Sequence, residues 1–129
     1  YWLEAVPNLS NFYHVAMASL YGDDPRPTVN NFIKQYSARE GGHPPTAHTV
    51  TGYDVIHAIA RAIERGGGDT SGDAIKAQFE KFTNEPLLGG PTSFSSSMHI
   101  NFERPMVVIN VEGGKPRFHE LRNVKKVAK

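Results

Sequence analysis

The stretch over residues 52–67 constrains the fold more than any other part of the chain. Its apolar residues Val55, Ile56, Ile59, Ala60 and Ile63 recur at helical spacing, while Asp54, Arg61, Glu64 and Arg65 fall on the other side. The pattern predicts an amphipathic helix that stops in the glycines at 66–68, with Thr49 or Thr51 as its cap. A helix with one apolar stripe is marginal alone in water, so something larger has to lie against it.

Two more helices flank it in the sequence. Val29, Phe32, Ile33 and Tyr36 share one face between Thr28, the expected cap, and Gly41-Gly42, the expected stop. Thr70 or Ser71 caps a later helix whose buried face is Ile75, Phe79 and Phe82. Between the first two helices, His43-Pro-Pro-Thr-Ala-His48 is a connector, because a helix cannot run through both prolines.

After Glu85-Pro86 the texture turns to short β-like runs over 92–95, 98–102 and 106–111. Gly113-Gly114 then offers the positive φ values that a two-residue hairpin loop requires, and 116–121 is the returning strand. At the other end, residues 1–6 are apolar and aromatic enough for a strand ended by Pro7. Residues 11–21 follow helical spacing only loosely and are expected to be irregular, and 22–27 is a loop on its Gly, Asp and Pro content. The opening on Tyr1, with no initiator methionine, suggests a mature or cut piece of something longer.

Composition narrows the chemistry. A formal charge of +1 on 129 residues gives no footprint for nucleic acid, and the basic tail over 122–129 lacks interleaved aromatics, so a solvated end is the expected reading. No run approaches the ~20 apolar residues of a membrane helix, so no direct membrane insertion is expected. The absence of cysteine removes disulfides, thiol catalysis and thiolate metal sites.

The six histidines show no metal-ligand spacing, and no exposed-serine hydrolase motif is present. Asp23-Asp24, in a proline-flanked loop, is expected to be solvated. The glycine-rich run over 66–72 lacks the Gly-Lys-Ser/Thr ending of a phosphate loop, and a helix stop followed by a helix cap accounts for it. The expectation is therefore a non-enzyme with no catalytic residues, no metal and no cofactor. Aromatic and imidazole side chains do concentrate in two loops, 11–14 and 43–48, which suit a small-molecule cleft or are plain surface loops.

The order of motifs resembles a known family. Gly22-Asp-Asp-Pro25 leads to Val29-Asn-Asn-Phe-Ile-Lys-Gln-Tyr36. Thr51-Gly-Tyr-Asp-Val-Ile56 runs to Ala62-Ile-Glu-Arg-Gly66, then come Gly90-Pro-Thr-Ser-Phe94, Pro105-Met-Val-Val-Ile109 and Val111-Glu-Gly-Gly-Lys115. Together they are similar to the C-terminal third of periplasmic solute-binding proteins of the leucine/isoleucine/valine-binding type, the type I periplasmic binding proteins or extracellular ligand-binding receptors.

The resemblance implies an α/β fold, part of a two-lobed clamp joined at a hinge by crossing strands and incomplete on its own. Residues 1–10 would end a lobe-two strand and enter the hinge, 11–105 would form the C-terminal half of lobe one, and 106–129 would cross back and form a C-terminal hairpin. It also implies a non-catalytic, periplasmic or cell-surface anchored component of an ABC importer for amino acids or related acids. The ligand would be a small carboxylated metabolite held between the lobes, either branched-chain amino acid-like or an aromatic acid; the stretches around Asn11, Glu85 and Met98 look closest to aromatic-acid members. A ligand-sensing domain of a receptor or regulator is the alternative.

The residue before the long lobe-one helix usually faces the ligand in this family, which points to His48, and Tyr13 or His14 would reach the cleft edge from near the hinge. The implied partners are the solute, ABC permease subunits, and either the missing N-terminal part of the same protein or a second copy of this chain.

Overall fold

The computed structural model describes residues 2–123. Along the chain run α1 (Trp2–Ala5), β1 (Phe12–Ala16), α2 (Pro27–Glu40), α3 (His48–Arg65), α4 (Gly72–Phe79), β2 (Glu85–Leu87), β3 (Gly90–Thr92), β4 (Met106–Glu112) and β5 (Lys115–Arg122). They fall into two compact units, one of residues 2–49 with 105–122 and one of residues 50–104. Residues 11–49 thus group with the C-terminal strands rather than with the helices that follow them.

The first unit is built on an antiparallel sheet ordered β1-β4-β5. β4 alternates as a half-buried strand must: Val107, Ile109 and Val111 are at most 1% exposed, and the residues between them are less buried. Its register sets Phe12, His14 and Ala16 of β1 opposite those three residues, so the same face continues onto β1. Between Val108 and Ile109 the pairing with β5 skips His119, a bulge. Val29 and Ile33 of α2, with Ala18 and Leu20, complete the apolar core of the unit.

β1 corrects the expectation of an irregular segment at 11–21. Its pairing with β4 spans about a hundred residues of chain, a tertiary constraint that local spacing does not carry. Residues 2–5, expected as a strand, are helical instead. α2 begins one residue before its expected cap: Pro27, with φ fixed and no N–H to satisfy, takes the first turn, and Arg26 is the N-cap without a side-chain cap bond. The expected stop holds, with Gly41 at φ 75 and its N–H donating to the Ser37 carbonyl at 3.0 Å.

The Gly113-Gly114 turn forms as expected, with φ of 56 and 73. It is also an attachment point. The N–H of Gly113 donates to Ser10 Oγ at 2.7 Å, and that of Gly114 to the Leu9 carbonyl at 2.8 Å. A Cβ on Gly114 would collide with the Pro7 carbonyl, whereas one on Gly113 meets open space. Gly114→Ala is therefore expected to destabilise by about 2–3 kcal/mol, and Gly113→Ala by about 1 kcal/mol, the strain of a left-handed residue alone. Paired urea titrations check this; equal losses at the two positions would contradict the contact.

The long helix starts earlier than expected. Thr46 Oγ1 accepts the N–H of His48 at 3.2 Å, so α3 opens directly after the proline pair, and Thr49 and Thr51 lie inside it. The buried row is Val50, Asp54, Ala58 and Ala62, not the larger aliphatic stripe; Val55 and Ile56 are exposed. This corrects the expected orientation, Asp54 above all. α4 is capped by Ser71, whose Oγ accepts the Ala74 N–H at 3.3 Å. No strand forms over 98–102; there the chain makes an isolated bridge from Ser95 to Met98.

Two carboxylates organise the second unit. Asp54, 4% exposed, accepts the N–H groups of Leu88 and Gly89 at 2.7 and 2.9 Å and a guanidinium N–H of Arg104 at 2.5 Å. It thereby fixes the turn between β2 and β3. Glu85 accepts from Arg61 at 2.7 Å and from Arg65 at 2.8 and 2.9 Å, and Arg65 also lies over the Phe82 ring. The Arg65 hydrogen bonds, seconded by Arg61, hold the Glu85 carboxyl below its ordinary range against the opposing effect of burial. Phe82 is wholly buried, with Phe79 and Phe94 around it at ring-centroid distances of 5.3 and 6.4 Å.

Candidate functional site

A cleft of about 480 Å³ opens within the first unit. His14, Met17, Tyr21, Thr46, His48 and Met106 are among the side chains that line it. His14 enters from β1, and His48 enters as the first residue of α3, an 18-residue helix. Two of the sequence-predicted residues, distant along the chain, thus meet at one cleft.

Tyr13 is placed elsewhere. Its ring packs edge-on against His119, with centroids 5.3 Å apart, outside the cleft lining.

The wall over residues 17–21 is held by a network that sequence reasoning assigned to solvent. Asp24 is 4% exposed, and its carboxylate accepts the Ser19 N–H at 2.8 Å, the Arg26 N–H at 2.9 Å, and Arg26 Nε and Nη2 at 2.8 and 2.9 Å. Arg26 Nη2 also donates to the Met17 carbonyl at 2.8 Å. Asn30 brackets the Asp24 backbone, accepting its N–H at 3.0 Å and donating to its carbonyl at 2.8 Å. Asp23 accepts from the Ser19 hydroxyl and, at 2.9 Å, from the Phe118 N–H of β5.

Asp23-Asp24 is therefore a structural pair, which corrects the solvated reading. The available signal was Arg26 two residues on and Asn30 in the following helix, both able to satisfy a buried carboxylate. Burial pushes the Asp24 carboxyl up, but the hydrogen bonds from Arg26 and Ser19 outweigh it, so the group titrates below its ordinary range. Tyr21, on the cleft wall, is shifted up by burial and then by Asp23, with Arg117 opposing.

Among the described residues no cluster of three His, Asp or Glu side chains is arranged to hold a metal, and no helix is long and apolar enough to cross a membrane. Residues 124–129, the remainder of the basic tail, lie outside the described residues.

Residues 4–115 match the profile of the periplasmic binding proteins, and the chain belongs to that family. It is similar to the crystal structure of a leucine-binding protein, LivK, from Thermotoga maritima, at 21% sequence identity and a TM-score of 0.70. The match covers 88% of this chain and 31% of LivK, so the chain spans about a third of that relative's length. At this identity the likeness defines the fold. No curated protein matches the chain.

Proposed function

We propose that the chain is part of a non-catalytic solute-binding protein that delivers a small carboxylated metabolite, branched-chain amino acid-like or aromatic, to the permease of an ABC importer in the periplasm or at the cell surface. The observation that carries this reading is the meeting of His14 and His48 at one cleft. Imidazole N–H groups give directional donors for a carboxylate, and Met17, Tyr21 and Met106 give an apolar and aromatic wall for the rest of the solute. His48 also stands at the N-terminus of α3, where the helix dipole favours an anion. Family membership supports the same class of function.

The test is a melting-shift series on the intact protein with branched-chain amino acids, benzoates and other aromatic acids. A solute held at about 100 times its dissociation constant stabilises by about 2.7 kcal/mol, which is easily read. His48→Ala is expected to weaken binding about tenfold, close to 1.4 kcal/mol, while leaving the unliganded melting temperature unchanged, because the side chain is exposed. A panel with no shift at all would count against the reading, and so would undiminished binding by both His48→Ala and His14→Ala.

A further inference from the structure

Tyr21 carries a polar atom that the fold itself does not use. It lines the cleft of the first unit and is partly buried, yet its hydroxyl makes no hydrogen bond among the described residues. A phenylalanine would supply the same aromatic wall; the hydroxyl adds a directional donor to it. The chain on either side is pinned. Ser19 is wholly buried, its N–H bound by Asp24 and its hydroxyl by Asp23, and Asp23 also receives the Phe118 N–H of β5. Leu20 lies in the core, and Gly22 turns the chain at φ 80, in the left-handed region that favours glycine.

The ring is thus held at the cleft by bonds that its neighbours make, and the donor is in place before a solute arrives. We propose that Tyr21 is a solute-contacting residue, its hydroxyl donating to a carboxylate oxygen of the solute alongside His14 and His48. Burial, and after it the Asp23 carboxylate, push the phenol above its ordinary range against the opposing effect of Arg117. Tyr21 therefore keeps its proton throughout the neutral range, where an ionised carboxylate is an acceptor only. Hydrogen bonds to a charged acceptor are roughly twice as strong as those between neutral groups, so this contact favours the ionised acid. The inference deepens the solute reading and rests on it, because without a solute in this cleft the donor has no acceptor.

Isothermal titration of the intact protein and of its Tyr21→Phe variant tests this, with leucine, isoleucine, valine, benzoate and 4-hydroxybenzoate as the probes. The dissociation constant of each probe that binds is expected to rise about tenfold in Tyr21→Phe, while the unliganded melting temperature stays unchanged because the ring remains. Carbon-13 NMR at the tyrosine Cζ reads the same contact in the wild-type protein. The Tyr21 signal, identified by its loss in Tyr21→Phe, is expected to move with the probe and saturate at the concentration that saturates the titration. Those of Tyr13, Tyr36 and Tyr53, which lie outside the cleft lining, are expected to stay in place. Undiminished affinity in Tyr21→Phe, or a Tyr21 signal unmoved at saturation, would overturn the proposal and leave the solute reading standing. If none of the probes binds the wild-type protein, the two fall together.

Discussion

Asp54→Ala is expected to cost about 3–5 kcal/mol of folding stability, because removing one partner of a buried ion pair strands the other. Arg104, with its side chain 16% exposed, loses its carboxylate, and the N–H groups of Leu88 and Gly89 lose their acceptor. Arg104 Nε still donates to the Gly89 carbonyl at 3.0 Å, which keeps the cation folded over the turn after this carboxylate is gone. Asp54→Asn keeps the shape and one acceptor oxygen, so it is expected to fall between wild type and alanine. Arg104→Met combined with Asp54→Ala should recover part of the loss, since it removes the stranded charge. Urea titration of the four proteins decides the matter. A loss under about 1 kcal/mol for Asp54→Ala would mean that the turn is held by something else.

Asp24→Ala is expected to be comparably severe, about 3–5 kcal/mol, since Arg26 and the Ser19 N–H lose a buried acceptor together. This position adds a pH signature. The folded carboxyl is held below its ordinary range, so it contributes stability that is fully present above the unfolded value, about 3.9, and is lost as pH falls through the lower folded value. Wild-type melting temperature should therefore fall below about pH 4. Asp24→Asn should begin lower at neutral pH and decline less steeply. Glu85, also shifted down, adds to the acid loss in both proteins and leaves the difference between them intact. Parallel melting curves from pH 7 to 3 would contradict the role given to Asp24. The same variant is expected to bind solute less well, because the wall of the cleft over residues 17–21 hangs on this carboxylate.

The parts of the fold that were legible in the sequence are those fixed by local backbone chemistry. Gly41 and Gly113-Gly114 stop a helix and turn a hairpin because φ must be positive there, and Ser71 caps α4 with its own hydroxyl. What local patterning does not carry depends on partners distant along the chain. β1 exists because β4 pairs with it, and Asp54 is inside because a turn 34 residues later donates to it.

Hydrophobicity alone predicts burial of the α3 stripe somewhere and not burial within these residues. Composition marks Asp23-Asp24 as solvated, although Arg26 and Asn30 carry the donors that make burial tolerable. For the candidate site, residue types reach only as far as two loops, 11–14 and 43–48, and it is the family resemblance that singles out His14, His48 and Tyr13 within them. Tyr13 instead packs on the ring of His119, a partner about a hundred residues along the chain that local patterning does not supply.

The most direct measurement of the central claim is imidazole NMR on the intact protein, titrated with the solute that gives the largest melting shift. The ring signals of His14 and His48 are expected to move together and saturate at one concentration, while those of His43, His57, His99 and His119, which do not line the cleft, stay in place. Saturable binding that leaves both His14 and His48 unmoved would contradict the account.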